Sequence, residues 1–172
     1  MPTSAGPGGT VFQLSRKSEV PGQRGLPKLP IATARATPAG LEGDFNRYRH
    51  EEDSDDPRCA LLLMPLETLR QLNAEGWPVR PGDLGENITS HGIAYNEITV
   101  GQRYRIGEVL TEVSKPCDPC HNLTELPYVG TAREAEFLRT MHGRRGWYLR
   151  VLDGGTLRVD DRIARVTDGA TR

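Results

Sequence analysis

The chain reads as a β-rich α+β domain whose strands curl into a barrel flanked by two short helices. Three observations carry that expectation. Nineteen glycines and thirteen prolines in 172 residues punctuate the chain into short segments, which favours strands over long helices. Several of those segments alternate apolar and polar residues. Two others show helical spacing with stop signals behind them.

Taken in order, residues 1–9 are rich in Gly, Pro and Ser and read as a disordered tail, leaving 10–168 as a single domain. "TVFQLS" (10–15) is a strand and the basic, broken stretch 16–28 a loop. "LPIATARAT" (29–37) is strand-like, and "PAGLEGD" (38–44) forms a corner. Residues 46–58 form the most charged segment, with a solvated acidic half. "CALLLM" (59–64) is a short apolar run that fits a buried strand. A helix follows, with Pro65 in its first turn, Leu66, Leu69 and Leu72 on one face and Gly76 at its stop.

Residues 77–93 read as a long functional loop with two prolines and with glycines at 82, 85 and 92. Two strands then flank Gly107, with Tyr104 and Ile106 before it and Val109, Thr111 and Val113 after it. A second helix spans 131–143, with Thr131 and Glu134 as a capping box and Ala135, Leu138 and Met141 on its apolar face. The chain closes as β structure over 146–166, where Trp147, Leu149 and Val151 alternate and Asp-Gly-Gly turns a hairpin into "TLRV".

A net charge of −1 gives no field that would draw nucleic acid or a membrane surface. No apolar run approaches the roughly 18 residues of a membrane span, and the N-terminus lacks a signal-peptide layout. Three cysteines suit no disulfide framework, so the expectation is a cytoplasmic protein with reduced thiols.

Two of those cysteines stand in "SKPCDPCHNL" (114–123). A structural zinc site needs four ligands, whereas one Cys-x-x-Cys stands here without a second pair, so zinc is not expected. A redox dithiol of the thioredoxin kind opens a helix, whereas Pro127 and Gly130 follow here. Cys59 reads as a small apolar core residue. Lys115, Asp118 and His121 place polar groups around Cys117 and Cys120, and spacing alone leaves a thiol that is either reactive or metal-binding.

Five segments in order resemble the MOSC domain family, named for the C-terminal part of molybdenum cofactor sulfurase. They are "GLEGD" (40–44), "PGDLGENIT" (81–89), "GQRYRIG" (101–107), "CDPC" (117–120) and "GRRGWYLRVLDGGTLRVDD" (143–161). The resemblance spans about residues 10 to 166 and looks like the small stand-alone bacterial members. It implies a mixed β-barrel with helices and a site for the pterin-type molybdenum cofactor, with Cys120 as the metal's thiolate ligand. Cationic and backbone donors would line the phosphate pocket, with Lys28, Arg47, Arg49 and Arg58 as candidates and Asn87 orienting the loop. His121 or Asp118 would relay protons.

The implied activity is reduction of N-hydroxylated or related small molecules by a molybdenum-dependent oxidoreductase. With no flavin, haem or iron–sulfur motif, an external electron donor is required. The alternatives are a sulfurtransferase, fed by a sulfur-donor protein, in which Cys120 carries a persulfide that Cys117 resolves, and a non-catalytic cofactor-binding module. The chain departs from the family pattern in two places. It has "HEEDSDD" where many small members carry His-Gly-Gly, and Cys117 stands where others differ.

Overall fold

The computed structural model describes residues 8–22, 25–45 and 55–167. The tail expected over 1–9 falls, for residues 1–7, outside them, as do residues 46–54 of the charged segment. In chain order the strands are β1 (Gly9–Arg16), β2 (Leu29–Ile31), β3 (Thr33–Thr37), β4 (Gly40–Leu41) and β5 (Leu61–Pro65). After helix α1 (Leu66–Ala74) come β6 (Ile88–His91), β7 (Arg103–Ile106) and β8 (Val109–Pro116). Helix α2 (Glu134–Met141) precedes β9 (Trp147–Asp153), β10 (Gly155–Arg158) and β11 (Arg162–Val166).

Among the described residues seven strands close a mixed barrel in the order β1-β6-β5-β9-β8-β7-β11, with β11 returning to β1 through Gly9–Ile163. Only β5 and β6 run parallel among these pairs. Closure leaves those strands without free edges. β2 extends β1, and β10, β3 and β4 form a small second sheet.

The apolar run of β5 is continuous because both of its faces are covered. Leu61 and Leu63 enter the barrel core with Val11, Leu14, Ile88 and Leu149. Met64 faces outward into a second cluster with Leu69, Leu72, Trp77, Phe137 and Met141, which packs the helices onto the barrel. Leu62 joins a third, small cluster with Cys59, Cys117 and Tyr148. That outer face, between barrel and helix layer, is where the thiols lie.

Four local expectations change. The stretch 77–93 is not all loop: "ITSH" forms β6, hidden from pattern reading because its buried Thr89 and Ser90 are polar. The Asp-Gly-Gly turn does not fold β10 back on β9; β10 pairs with β3 instead, Leu157 opposite Ala34. A Cβ on Gly154 would meet the Ala36 carbonyl at 2.7 Å, so this glycine serves close approach between strands. The 29–37 strand breaks at Ala32 into β2 and β3, which belong to different sheets. Finally, α2 begins at Glu134, with Arg133 at its N-cap and no side-chain cap bond, so the Thr131–Glu134 box does not form. Phe137 and Met141 are the residues it buries, and Ala135 is exposed.

Candidate functional site

β8 ends at Pro116, and the Cys117 N–H donates to the Gly146 carbonyl at 2.9 Å, so the thiol loop starts fastened to the head of β9. Pro119 and an extended backbone at Cys120 lead into a single 3-10 turn over His121–Glu125. Leu123, fully buried, pins that turn to the helix-side cluster, and its N–H bonds the Cys120 carbonyl at 3.1 Å. Cys120 is thereby held half-buried between two anchors.

Both thiols line a cavity of about 190 Å³ together with Asp118, Lys115, Tyr148 and Arg145. Pockets for whole drug-sized ligands occupy roughly 300–1,000 Å³, so this one fits one functional group of a larger ligand. Cys117 is 6% exposed. Burial pushes its thiol above the ordinary range, against the pull of the neighbouring Arg145 charge. Burial likewise pushes up the hydroxyl of Tyr148, which packs against Cys117. The Lys115 ammonium lies 5.7 Å from the centre of the Tyr148 ring, a cation–π distance.

Arg145 was not among the residues expected from sequence. It is 6% exposed, and its Nε and Nη1 have no hydrogen-bond partner among the described residues. Its position follows from Gly146, whose φ of +111° and approach to the Leu63 carbonyl exclude a side chain. The Tyr95 hydroxyl clamps the same residue, accepting from the Gly146 N–H at 3.1 Å and donating to its carbonyl at 3.2 Å. The one sequence signal was the doubled arginine before Gly-Trp, in a motif whose glycine had a visible purpose.

The remaining candidates separate. Lys28 lines the cavity, but its Nζ is ion-paired with Asp44 at 2.5 Å, both side chains under one-tenth exposed. Asn87 is wholly engaged in the scaffold. Its Oδ1 accepts the Leu62 N–H at 3.1 Å, and its Nδ2 donates to Asp44 at 2.8 Å and to the Ser15 carbonyl at 3.3 Å. Arg58 is exposed on the 3-10 turn before β5, bonded to Asp56 at 2.7 Å, and is not part of the cavity wall. His121 is exposed at the start of its turn and is also outside the wall, whereas Asp118 is exposed but lines it. Arg47 and Arg49 lie outside the described residues.

The MOSC domain family matches residues 49–164. Protein YiiM of Escherichia coli (strain K12) is 30% identical over 141 residues, which is 77% of this chain and 60% of that protein. A protein named "Reductase" from Gibberella moniliformis is 33% identical over 84 residues, covering 48% of this chain and 14% of the relative. The chain thus spans about 60% of the first of these and a small part of the second. The crystal structure of the YUAD protein from Bacillus subtilis superposes with a TM-score of 0.77 at 16% identity, over 93% of this chain and 97% of that one, a likeness of fold.

Proposed function

The chain belongs to the MOSC domain family, and on that premise we propose that its thiol-lined cavity receives the reacting end of a molybdenum–pterin cofactor, with Cys120 as the metal's sulfur ligand. The observation that carries this reading is a half-buried thiol on a doubly anchored loop, opening into a cavity with a buried, unpartnered guanidinium. The donor set fits such a group: a soft thiolate suits molybdenum, and the open N–H groups suit the anionic parts of a cofactor–substrate complex. When bound, the cofactor supplies two-electron chemistry suited to cleaving N–O bonds in small molecules.

The protein's own residues bind and orient. Leu62, Leu84 and Tyr148 give the cavity an apolar wall that limits water. Asp118, at the mouth, is placed to exchange a proton with solvent, and His121 stands three residues along the same loop. The Gibberella relative is itself named a reductase. A sulfurtransferase would need Cys117 as a resolving thiolate, and its raised pKa works against that role. Reducing equivalents would come from a separate donor protein, and the site of action would be the cytoplasm.

Metal and pterin analysis of protein made in a host that synthesises the cofactor tests the reading. Stoichiometric molybdenum that is lost in Cys120→Ala and kept in Cys117→Ala is expected. An added sulfur on Cys120 with no molybdenum would replace the reductase by the sulfur carrier.

A further inference from the structure

We propose that Arg145 anchors an oxyanion subsite beside the two thiols, so that the molecule acted on carries a carboxylate, sulfonate or phosphate group. Its assignment to the substrate rests on the reductase reading; the subsite itself does not.

An arginine is charged at any pH a protein tolerates, and burying a charge without a partner is among the costliest arrangements in a fold. Arg145 is 6% exposed with Nε and Nη1 unpartnered, and it lines the cavity. The neighbours that could neutralise it are poorly suited to do so. Cys117 and Tyr148 are held in their neutral forms by burial. Glu86, also buried, spends Oε1 on the Gly82 N–H at 2.7 Å and the Thr89 hydroxyl at 3.1 Å, and its Oε2 has no partner. Burial pushes the Glu86 carboxyl up toward its neutral form too. Asp118, a carboxylate in the lining, is exposed, where water screens it.

What the site lacks is therefore an anion whose oxygens accept charge-assisted hydrogen bonds from the guanidinium, the acceptor chemistry that arginine favours. The Lys28 charge is already taken by Asp44. Lys115, on the cavity wall, adds positive potential at the entrance. A cavity of about 190 Å³ has room for one such head group. The same anion chemistry could belong to the cofactor's own phosphate, and the test separates the two sources.

Cofactor-free protein is titrated with acetate and with inorganic phosphate at constant ionic strength, using acetamide as the neutral isostere and calorimetry and thermal shift as readouts. Saturable binding of the anions and none of acetamide is expected, with affinity lowered by roughly tenfold or more in Arg145→Gln, as for loss of a charge-assisted hydrogen bond. Arg145→Lys should keep part of the affinity and serves if the glutamine variant does not fold. Arg139→Gln, on the exposed face of α2, should bind as wild type. Anion binding that survives cofactor loading, with unchanged molybdenum content in Arg145→Gln, supports a substrate subsite. Loss of anion binding on loading, with loss of cofactor in the variant, assigns Arg145 to the cofactor phosphate and overturns the proposal. So does absence of saturable binding to wild type, or equal binding to Arg145→Gln. Failure of the reductase reading alone would show as missing molybdenum with anion binding intact.

Discussion

The backbone N–H of Cys117 donates to the carbonyl of Gly146 at 2.9 Å, so the loop that carries the thiols and the loop that carries Arg145 leave the sheet tied to one another. Cys117 and Arg145, 28 positions apart, are thereby held at one cavity wall by a backbone bond that continues the β8–β9 ladder just past its last pair, Pro116 and Trp147. The geometry of the site depends on that knot.

Gly146→Ala should loosen it. The new Cβ would sit 2.8 Å from the Leu63 carbonyl, on a backbone with φ of +111°. A loss of about 1–3 kcal/mol is expected for a side chain forced into such a conformation, read by denaturant unfolding. Unchanged stability would mean that the β5–β9 approach is looser than it stands here.

The two thiols should react at different rates. Cys120 is half-buried in the cavity wall, whereas Cys117 is nearly enclosed and its thiol is pushed up. Iodoacetamide at neutral pH, followed by peptide mass spectrometry, should modify Cys120 roughly tenfold faster or more, because the thiolate is the nucleophile. The shift also has a stability consequence. With the folded pKa above the unfolded one, the stabilising contribution is complete below the ordinary thiol pKa of 9.0 and is lost as pH rises through the folded value. Cys117→Ala should flatten the alkaline side of the melting-temperature profile.

Lys28 and Asp44 should behave as a buried pair rather than as ligand contacts. Lys28→Met leaves Asp44 buried with, among the described residues, only the Asn87 amide and the Lys17 N–H as donors. Destabilisation of about 3–5 kcal/mol is expected, and the Lys28→Met/Asp44→Asn double variant should lose less than the sum of the singles. A double-mutant cycle in urea measures both. Additive losses would show that the pair contributes no coupling.

Glu86 should destabilise the fold as it ionises. Its pKa is raised by burial, so its contribution is present below the model-compound value of 4.5 and is lost as pH rises. Glu86→Gln keeps an acceptor for the Gly82 N–H and the Thr89 hydroxyl. The variant should therefore gain on wild type between pH 4.5 and 7 in thermal melts. A variant that falls behind over that range would show that ionised Glu86 is needed to balance Arg145.

Much of the architecture was legible because its signals are local. "CALLLM" marked a strand buried on both faces, and β7 and β8 alternate around Gly107 as the pattern predicts. β6 escapes the pattern because its buried Thr89 and Ser90 are polar, which hydrophobic periodicity does not register, and Thr89 is held by a bond to Glu86. The hairpin after Asp153 was misread because Gly-Gly is the same signal for a turn and for close packing of one backbone on another. Within the site, the Cys-Asp-Pro-Cys loop stood out by residue type, and both of its cysteines line the cavity.

By itself the sequence determined the barrel's family and the strand that leads into the Cys117–Cys120 loop. Those follow from residue type and short-range spacing, which the linear order contains. Only the tertiary structure decided which charges are available to a ligand. Lys28 and Asn87 are consumed by contacts to Asp44, Ser15 and Leu62, while Arg145, inconspicuous in "GRRGW", is buried beside the thiols with open donors. A charge is defined by its partners, and the partners of a buried charge come from distant parts of the chain.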